Sequence, residues 1–318
     1  MWGAWLIGIL ATAHLVLAPK FADTWWFDIT TNFRPYQWGV IVLCAGAVLW
    51  RFSRLLGLLA ILTVVTVALG LNEGLQSKFL PQARELRETP PALALRGVQV
   101  LSFNLLSTNP MPEHALDWVF NEALSGDAAT RLIFLMEVTP DWIPRLAALR
   151  TKFPHHIELP RDDNFGFALY SSVPLNRVFV RSFDDKSNVP GLTGQIPHGK
   201  DWISIIGVHP VPPVNARFFQ ARNEYLGHVR ELIGLTPGPV LAFGDFNCSR
   251  WSPHWAPFEN LGLQNAFGGL FPPATWYTFR GLVRTHVDHV LFSPHFAVKK
   301  AEVSGFLGSD HRALKVEF

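Results

Sequence analysis

The chain has 318 residues, its formal net charge at pH 7 is +2, and 49% of its residues are hydrophobic. This length allows more than one structural unit, and the lack of internal repeats or low-complexity tracts excludes a repeat protein. Only two cysteines are present, Cys44 in an apolar stretch and Cys248 beside a polar motif, which excludes a disulfide framework and a cysteine-rich metal site.

The N-terminal 80 residues are far more apolar than the rest and contain three apolar stretches, Trp2 to Ala18, Trp38 to Trp50 and Leu55 to Leu71. At about 1.5 Å per residue, each stretch needs flanking residues to cross a hydrocarbon layer of roughly 30 Å. Aromatic residues lie near the stretch ends, as in interfacial belts: Trp2, Trp5, Trp25, Trp26, Tyr36, Trp38 and Trp50. The sequence predicts an all-α membrane region at 1–80 with three helices, at about 2–18, 36–52 and 54–74.

This region makes the lipid bilayer a predicted partner and the chain a multi-pass protein of the cell membrane. Two other interpretations stay open: a cleaved signal peptide at 1–18, which lacks a positively charged start, and a buried helical hairpin at 38–71. Arg51 and Arg54 in the short second connection place that turn in the cytoplasm and the C-terminal part outside. The opposite orientation, with the C-terminal part in the cytoplasm, is favoured by the basic residues on the other side of the predicted membrane helices: Lys20, Arg34, Lys78, Arg84 and Arg87.

Residues 81–97 contain three prolines and charges of both signs, which is typical of a linker. The remaining residues, 98–318, are enough for one sizeable core. Apolar runs predict strands at 98–103, 132–136, 165–171, 203–209, 239–243, 287–292 and 312–317. Helical spacing predicts a helix from Asn215 to Leu235. The mixture indicates a layered α/β fold.

Polar residues follow or interrupt these apolar runs at Asn104, Glu137, His209, Asp245 with Asn247, Asp288, and Ser309-Asp310-His311. Asp245 and Asn247 are two residues apart, so in extended backbone their side chains point the same way and can hold a water and a phosphate oxygen together.

Each of these residues alone has a plain structural explanation. Gly-Asp-x-Asn is ordinary turn chemistry, Asn104 and Glu137 suit a turn or a helix start, and His209 precedes a proline. Only Asp288, inside an apolar run, must be paired if it is buried. A single shared site is favoured, because without it every one of these separate structural explanations would have to be true at once.

In order and spacing, Gly244-Asp245-Phe246-Asn247, Val287-Asp288-His289 and Ser309-Asp310-His311 resemble the endonuclease/exonuclease/phosphatase superfamily, which includes DNase I-like nucleases, inositol polyphosphate phosphatases and neutral sphingomyelinases. The resemblance covers about residues 97 to 318. It implies a DNase I-like α/β fold, a two-sheet β-sandwich flanked by helices with the site at the shared edge of the sheets. It also implies a metal-dependent phosphoesterase.

The same resemblance implies a metal site. Glu137 would be the principal ligand, with Asn104 beside it and Asp310 completing the metal or phosphate shell. Hard oxygen ligands without a cysteine cluster favour Mg²⁺, with Mn²⁺ as the alternative.

The catalytic residues implied by the resemblance surround that metal. Asp245 would orient or deprotonate the attacking water, and Asn247 would hold a phosphate oxygen. His209 would donate to the phosphoryl group. Asp288 would orient His311 by fixing its tautomer.

Three positions depart from the pattern of the superfamily. Leu106 stands where an acid or amide is frequent, Met136 where a glutamine often precedes the metal-binding glutamate, and His289 where a tyrosine is frequent. The departures concern the metal shell and the substrate contacts.

Charge bears on the substrate. Residues 97–318 contain 19 Lys and Arg against 20 Asp and Glu, a net charge of −1, whereas nucleases that grip a duplex usually have a strongly basic surface. Arg217 and Arg222 on the predicted helix are candidates to bind a phosphate head group, and a solvated helix face explains them equally well.

The sequence thus predicts a membrane-anchored, Mg²⁺-dependent phosphohydrolase of a phosphate ester or pyrophosphate, lipid-borne or small. Three short helices before such a domain resemble bacterial membrane phosphatases of the superfamily, including the glycopeptide-resistance type thought to act on undecaprenyl pyrophosphate, and this places the domain outside the cytoplasm. The alternatives are an extracytoplasmic nuclease, for which nucleic acid is a less favoured partner, and an inactive membrane scaffold. No protein partner is predicted.

Overall fold

The computed structural model describes residues 2–21, 23–50, 53–55, 57–58, 94–183, 187–269 and 271–318. The chain divides into two units. We call the first, Met1–Arg84 with Ser249–Trp255 and Gly268–Pro273, the helical unit. The second, Glu85–Cys248 with Ala256–Phe267 and Ala274–Phe318, is the sandwich unit.

The strands of the sandwich unit are β1 (Val98–Asn104), β2 (Thr130–Met136), β3 (His155–Leu159), β4 (Phe167–Ser171), β5 (Asn176–Ser182), β6 (Pro190–His198), β7 (Asp201–Val208), β8 (Val240–Asp245), β9 (Gln264–Asn265), β10 (Trp276–Thr278), β11 (Val283–Thr285), β12 (Asp288–Phe292), β13 (Lys300–Val303) and β14 (Leu314–Glu317). The helices, numbered after three in the helical unit, are α4 (Pro112–Leu124), α5 (Ala147–Lys152), α6 (Ala216–Leu235) and α7 (Ala256–Asn260).

Two six-stranded mixed sheets form the framework. The first has the order β13-β14-β1-β2-β4-β3 and the second β5-β6-β7-β8-β12-β9, and β10 and β11 form a separate hairpin. Within the sheets, β1 pairs parallel with β2, and β7 pairs parallel with β8. Parallel neighbours end at the same edge of a sheet, so residues that follow these strands are brought together.

The core explains why the central strands are apolar along their whole length. Val100, Phe134 and Val290, from both sheets, belong to one buried cluster. On the other face of the first sheet, Phe103 packs in a second cluster with Val119 of α4. Strands buried on both faces have continuous apolar runs rather than alternation. The predicted α/β fold of two sheets flanked by helices is confirmed.

Helix α6 begins one residue after the predicted start at Asn215, which is its N-cap. Asn215 is extended, and its Oδ1 accepts a hydrogen bond of 2.9 Å from the Phe218 N–H, which satisfies one of the free donors of the first turn. The side chains that the sequence places on the apolar face, among them Tyr225, Leu226 and Val229, are buried.

Several strands were not predicted. β5 is an edge strand in which most residues are exposed, and β6 contains two glycines and two prolines, so neither has an apolar run. β3 is only partly buried.

The helical unit contains α1 (Trp2–Leu17), α2 (Trp25–Thr31) and α3 (Arg34–Leu49). α1 and α3 lie within or close to the first two predicted membrane spans, and each has 16 residues. Among the helices in the described ranges, none is both long and apolar enough to cross a membrane. Most of the predicted third span at 54–74 and of the predicted linker at 81–97 lies outside the described residues.

Two segments from later in the chain, Ser249–Trp255 and Gly268–Pro273, belong to the same unit as these helices. Asp28 is fully buried in α2, and its Oδ1 accepts a hydrogen bond from the Ser252 hydroxyl. Asn32 Oδ1 accepts a hydrogen bond of 3.0 Å from the Ser249 N–H. The ring of Trp38 lies edge-on to Trp251, with centroids 6.3 Å apart. Asp28 and Asn32, two polar residues of the apolar N-terminal region, therefore bind a segment that lies far along the chain.

Replacing Asp28 with alanine is expected to destabilise the helical unit by about 1–3 kcal/mol, because the Ser252 hydroxyl loses an acceptor in a buried place. Thermal unfolding and limited proteolysis of the full chain in detergent should show this, with faster cleavage within 249–255. Asp23→Ala, at an exposed position before the same helix, is the matched control. Equal stability of the two variants would contradict the role given to Asp28.

Candidate active site

The polar residues singled out in the sequence meet at one end of the sandwich unit, because the strands that carry them are neighbours. Asn104 ends β1 and pairs with Met136 at the end of β2, so Glu137 follows directly. In the second sheet, Asp245 at the end of β8 pairs with Asp288 at the start of β12. His209 follows β7, whose Val208 pairs with Gly244.

Glu137 is held by two donors. Its Oε1 accepts from Asn104 Nδ2 at 3.1 Å, and its Oε2 accepts from the Ser107 N–H at 2.9 Å. Its φ of 58° is left-handed, a conformation that non-glycine residues rarely adopt and that is concentrated at functional sites. Asn104 Oδ1 accepts from the Leu106 N–H at 3.1 Å, which orients the carboxamide. Ser107 was not predicted, since it contributes only its backbone.

A buried carboxylate–imidazole cluster lies beside this pair. His311 Nδ1 donates to Asp288 Oδ2 at 2.9 Å, and His311 Nε2 lies 3.6 Å from Asp245 Oδ2. The Asp288 N–H donates to Thr275 Oγ1 at 3.0 Å. Because an ionised carboxylate only accepts, the bond to Asp288 puts the proton on Nδ1 and leaves Nε2 facing Asp245.

Burial and neighbouring charges shift the pKa values of His311 and Asp245 in this cluster. Burial lowers the pKa of His311, but the charges of Asp288 and Asp245 outweigh burial and raise this pKa to about 10. Burial raises the pKa of Asp245 to about 8, against the opposing effect of His311. The His311 imidazolium therefore supplies positive charge between Asp288 and Asp245, and Asp245 is the member whose proton is released near pH 8.

His209 lies on the other side of Asp245. Its Nε2 is 3.8 Å from Asp245 Oδ2, and its ring packs against Phe165 with centroids 5.3 Å apart. Its Nδ1 is buried and has no hydrogen-bond partner in the described part of the chain. Burial, reinforced by the charge of His311, lowers the pKa of His209 to about 3. The ring is thus neutral near pH 7.

This lowered pKa gives a prediction for stability. An unfolded histidine takes up a proton near pH 6.5 whereas His209 in the fold does not, so its contribution is present above about pH 6.5 and is lost as the pH falls towards 3. The variant His209→Gln should lose less unfolding free energy than the wild type between about pH 7 and about pH 4.5. Urea denaturation at both pH values measures the difference, and identical losses would contradict the lowered pKa.

Asn247 is held tightly beside Asp245. Its φ is 48°, its N–H donates to Asp245 Oδ1 at 2.8 Å, and its Nδ2 donates to Pro210 O at 3.0 Å. A carbonyl oxygen only accepts, so the amide nitrogen must face Pro210. Oδ1 is the side-chain atom left for a partner, and because it only accepts, it suits a water better than a phosphate oxygen. The predicted contact of Asn247 with a phosphate oxygen stays a prediction.

The terminal motif contacts both the first sheet and the β10–β11 hairpin. Ser309 Oγ donates to Asn104 O at 2.8 Å, and Asp310 Oδ2 accepts from Trp276 Nε1 at 3.0 Å. Asp310 Oδ1 is buried without a hydrogen-bond partner among the described residues. Trp276 was not among the predicted site residues, and its indole N–H orients the acid.

Two groups of residues offer donor atoms of the kind that a divalent cation binds. Asp310 Oδ1 is a buried oxygen without a partner in the described ranges, and the carboxylate of Glu137 and the carboxamide of Asn104 add hard oxygen donors. Asp245, Asp288 and His311 are a second group, whose possible ligand atoms lie within 4.8 Å of one another. In that group the imidazole already donates to Asp288, so we favour the first set.

The two arginines of α6 have different surroundings. Arg217 is exposed in the first turn, and no hydrogen bond or ion pair within the described residues joins it to the cluster. Its predicted phosphate contact stays a prediction. Arg222 is fully buried and donates from Nη1 to Asn247 O at 2.9 Å, so it contacts the protein backbone instead of solvent.

Comparisons with known proteins agree with this fold. The model of the "Endonuclease/Exonuclease/phosphatase family" matches residues 101–311. Among solved structures, D. rerio TDP2 complexed with single strand DNA product is 17% identical, with a TM-score of 0.56 over 69% of this chain and 97% of that one. The 3′ phosphatase NExo from Neisseria, bound to product DNA hairpin, is 20% identical, with a TM-score of 0.53 over 69% and 98%. Beta toxin from Staphylococcus aureus is 15% identical, with a TM-score of 0.52 over 69% and 98%. Curated protein sequences give no match.

Proposed function

The chain belongs to the endonuclease/exonuclease/phosphatase family and is a metal-dependent phosphoesterase, and we propose that it hydrolyses a phosphate ester or pyrophosphate of a lipid-borne or small substrate. The observation that carries the proposal is the buried cluster of Asp245, Asp288 and His311 next to the donor-held Glu137. Such a cluster supplies a water-orienting carboxylate, a charged donor and a cation site together, which is what phosphoryl transfer requires.

The proposed metal is Mg²⁺, with Mn²⁺ as the alternative, held by Glu137, Asn104 and Asp310. When bound, such an ion neutralises charge on the phosphoryl oxygens and on the leaving oxygen. Oxygen donors without thiolates favour these ions over zinc. Trp276 orients Asp310 by donating to its Oδ2, which leaves Oδ1 for the ion.

In the proposed reaction the ionised form of Asp245, whose fraction grows as the pH rises towards its pKa of about 8, orients the attacking water and accepts its proton, and Asn247 Oδ1 accepts the second hydrogen bond of that water. His311 donates from Nε2 to the phosphoryl group while Asp288 holds its Nδ1–H. His209, which is neutral, offers an uncharged N–H to the same group and keeps water out through its packing with Phe165. In these roles the two histidines place hydrogen-bond donors at the oxygens on which charge changes during the reaction, and such donors stabilise the transition state.

The preference for a lipid-borne or small substrate is supported by charge. Residues 97–318 have a net charge of −1, and a duplex-binding surface is expected to be strongly basic because phosphate neutralisation dominates affinity. A small head group requires only local charge, which the His311 imidazolium and the metal supply.

Membrane attachment of the helical unit is part of the proposal. Several large apolar side chains on one helix, α1, are more than half exposed: Leu6, Ile7, Ile9, Leu10 and Val16. Contiguous exposed apolar surface of this kind favours an apolar partner, here the bilayer. We place the sandwich unit outside the cytoplasm, on the basis of Arg51 and Arg54.

A nuclease is the second candidate, because two of the structural neighbours are described with bound product DNA. Purified full-length protein with Mg²⁺ should be assayed in parallel on undecaprenyl pyrophosphate, a generic phosphodiester and plasmid DNA. We expect phosphate release from the lipid or the generic substrate, lost in Glu137→Ala and His311→Ala. Nicking of DNA alone, lost in both variants, would overturn the lipid preference. No turnover with any divalent ion would favour an inactive scaffold, for which Leu106 and Met136 are the only sequence support.

A further inference from the structure

We propose that Arg222 and His289 are positioning residues that clamp the catalytic loop Phe246–Cys248 from two sides. The loop leaves β8 directly after Asp245 and contains Asn247. Two consecutive backbone carbonyls in it accept hydrogen bonds from buried side chains. Arg222 Nη1 donates to Asn247 O at 2.9 Å, and His289 Nε2 donates to Cys248 O at 2.8 Å.

Both clamping side chains are fully buried, and their environments set their directions. Arg222 projects from α6 with its guanidinium carbon 5.4 Å from the centroid of the Phe219 ring. His289 Nδ1 accepts from Asn265 Nδ2 at 2.8 Å, which fixes the proton on Nε2 and makes that atom the donor. His289 therefore holds Cys248 O from β12, while its neighbour Asp288 faces His311.

The loop needs such support because its backbone is strained at the residue that carries the chemistry. Asn247 has a φ of 48°, a left-handed conformation that persists in a non-glycine residue only when its surroundings determine it. The N–H of Asn247 is held by Asp245 and its amide by Pro210, so the clamp on its carbonyl completes the constraint.

Burying a guanidinium is costly, since removing a charge from water requires compensating contacts. One of the contacts that compensate this cost is the hydrogen bond to Asn247 O, so the guanidinium is fixed against the loop at the residue with the left-handed backbone. The clamp acts through Asn247 and Asp245 and does not contact the reacting atoms. Its role rests on the phosphoesterase activity of the family and is independent of the lipid preference.

The test compares donor-removing with donor-keeping variants in the full-length protein. Arg222→Met and His289→Leu remove the donors, Arg222→Lys and His289→Gln keep one, and Glu231→Gln at an exposed position of α6 is the control. On a generic phosphodiester with Mg²⁺, the first pair should lower kcat about 10–100-fold with KM and the Mg²⁺ concentration for half activity changed less than about threefold. The second pair should recover part of that loss.

Hydrogen–deuterium exchange of the peptide spanning residues 244–249 provides a readout that does not need turnover. Faster exchange in Arg222→Met and His289→Leu, with control rates in the strands of the first sheet, supports the clamp even when no substrate is found. Unchanged exchange together with kcat within twofold of wild type would overturn it. The proposal would also be overturned, in favour of a purely structural role, if kcat fell equally in the donor-removing and donor-keeping variants and exchange rose throughout the sandwich unit.

Discussion

Replacing Glu137 with glutamine should lower kcat about 10³-fold or more, which corresponds to about 4 kcal/mol of lost transition-state stabilisation. The substitution removes a charge from the proposed metal site while keeping the size of the side chain and one acceptor oxygen. Ser107 N–H and Asn104 Nδ2 currently donate to the two carboxylate oxygens, so one of these donors will meet an amide group instead.

The measurement is phosphate release as a function of Mg²⁺ or Mn²⁺ concentration. The variant should need much more metal for half activity if any activity remains, and its unfolding temperature should stay close to that of wild type. Glu231→Gln, at an exposed position of α6, should behave as wild type in both respects. Full activity of Glu137→Gln at the same metal concentration would exclude Glu137 as the principal ligand.

Replacing His311 with glutamine should lower kcat about 10²–10⁴-fold, the range typical of a positioned proton donor or acceptor. The physical reason is that the imidazolium is the only cationic side chain whose nitrogen lies near both Asp245 and Asp288 in the described part of the site. Without it, the buried Asp245 and Asp288 side chains face each other with no positive charge to favour the ionised form of Asp245.

Asp288→Asn supplies the matched test, because an amide no longer selects the Nδ1–H tautomer. Residues that act as a unit are not additive, so the double variant should be no slower than His311→Gln alone. His156→Gln, an exposed histidine in β3, is the control. Additive losses in the double variant would show that Asp288 and His311 act separately.

The site could be found in the sequence because its residues follow strands. Asn104, Glu137, His209, Asp245 and Asp288 are each at or next to the end of an apolar run, and parallel pairing of β1 with β2 and of β7 with β8 brings those ends together. The match of residues 101–311 to the family model agrees with the resemblance seen in the same motifs.

What the sequence did not predict depends on contacts between distant segments. Residues 249–255 belong to the helical unit because Asp28 and Asn32 bind them, and no local pattern indicates such a pairing. The edge strand β5 has no apolar run since most of it is exposed.

The burial of Arg222 could be predicted from helical spacing. It lies three residues after Phe219 and four before Leu226, which places it on the buried face of α6, whereas Arg217 is exposed. An arginine on an apolar helix face must have a buried acceptor, and the carbonyl of Asn247 is one. Helical spacing alone therefore distinguishes the two arginines.

The location of the metal tests the central claim most directly, because two groups of ligand atoms are available. Crystals of the protein grown with Mn²⁺ and measured for anomalous scattering would locate the ion. We predict one peak in contact with the carboxylate of Glu137 and within reach of Asp310 Oδ1. A peak only among Asp245, Asp288 and His311, or no peak at this end of the sandwich unit, would contradict the account.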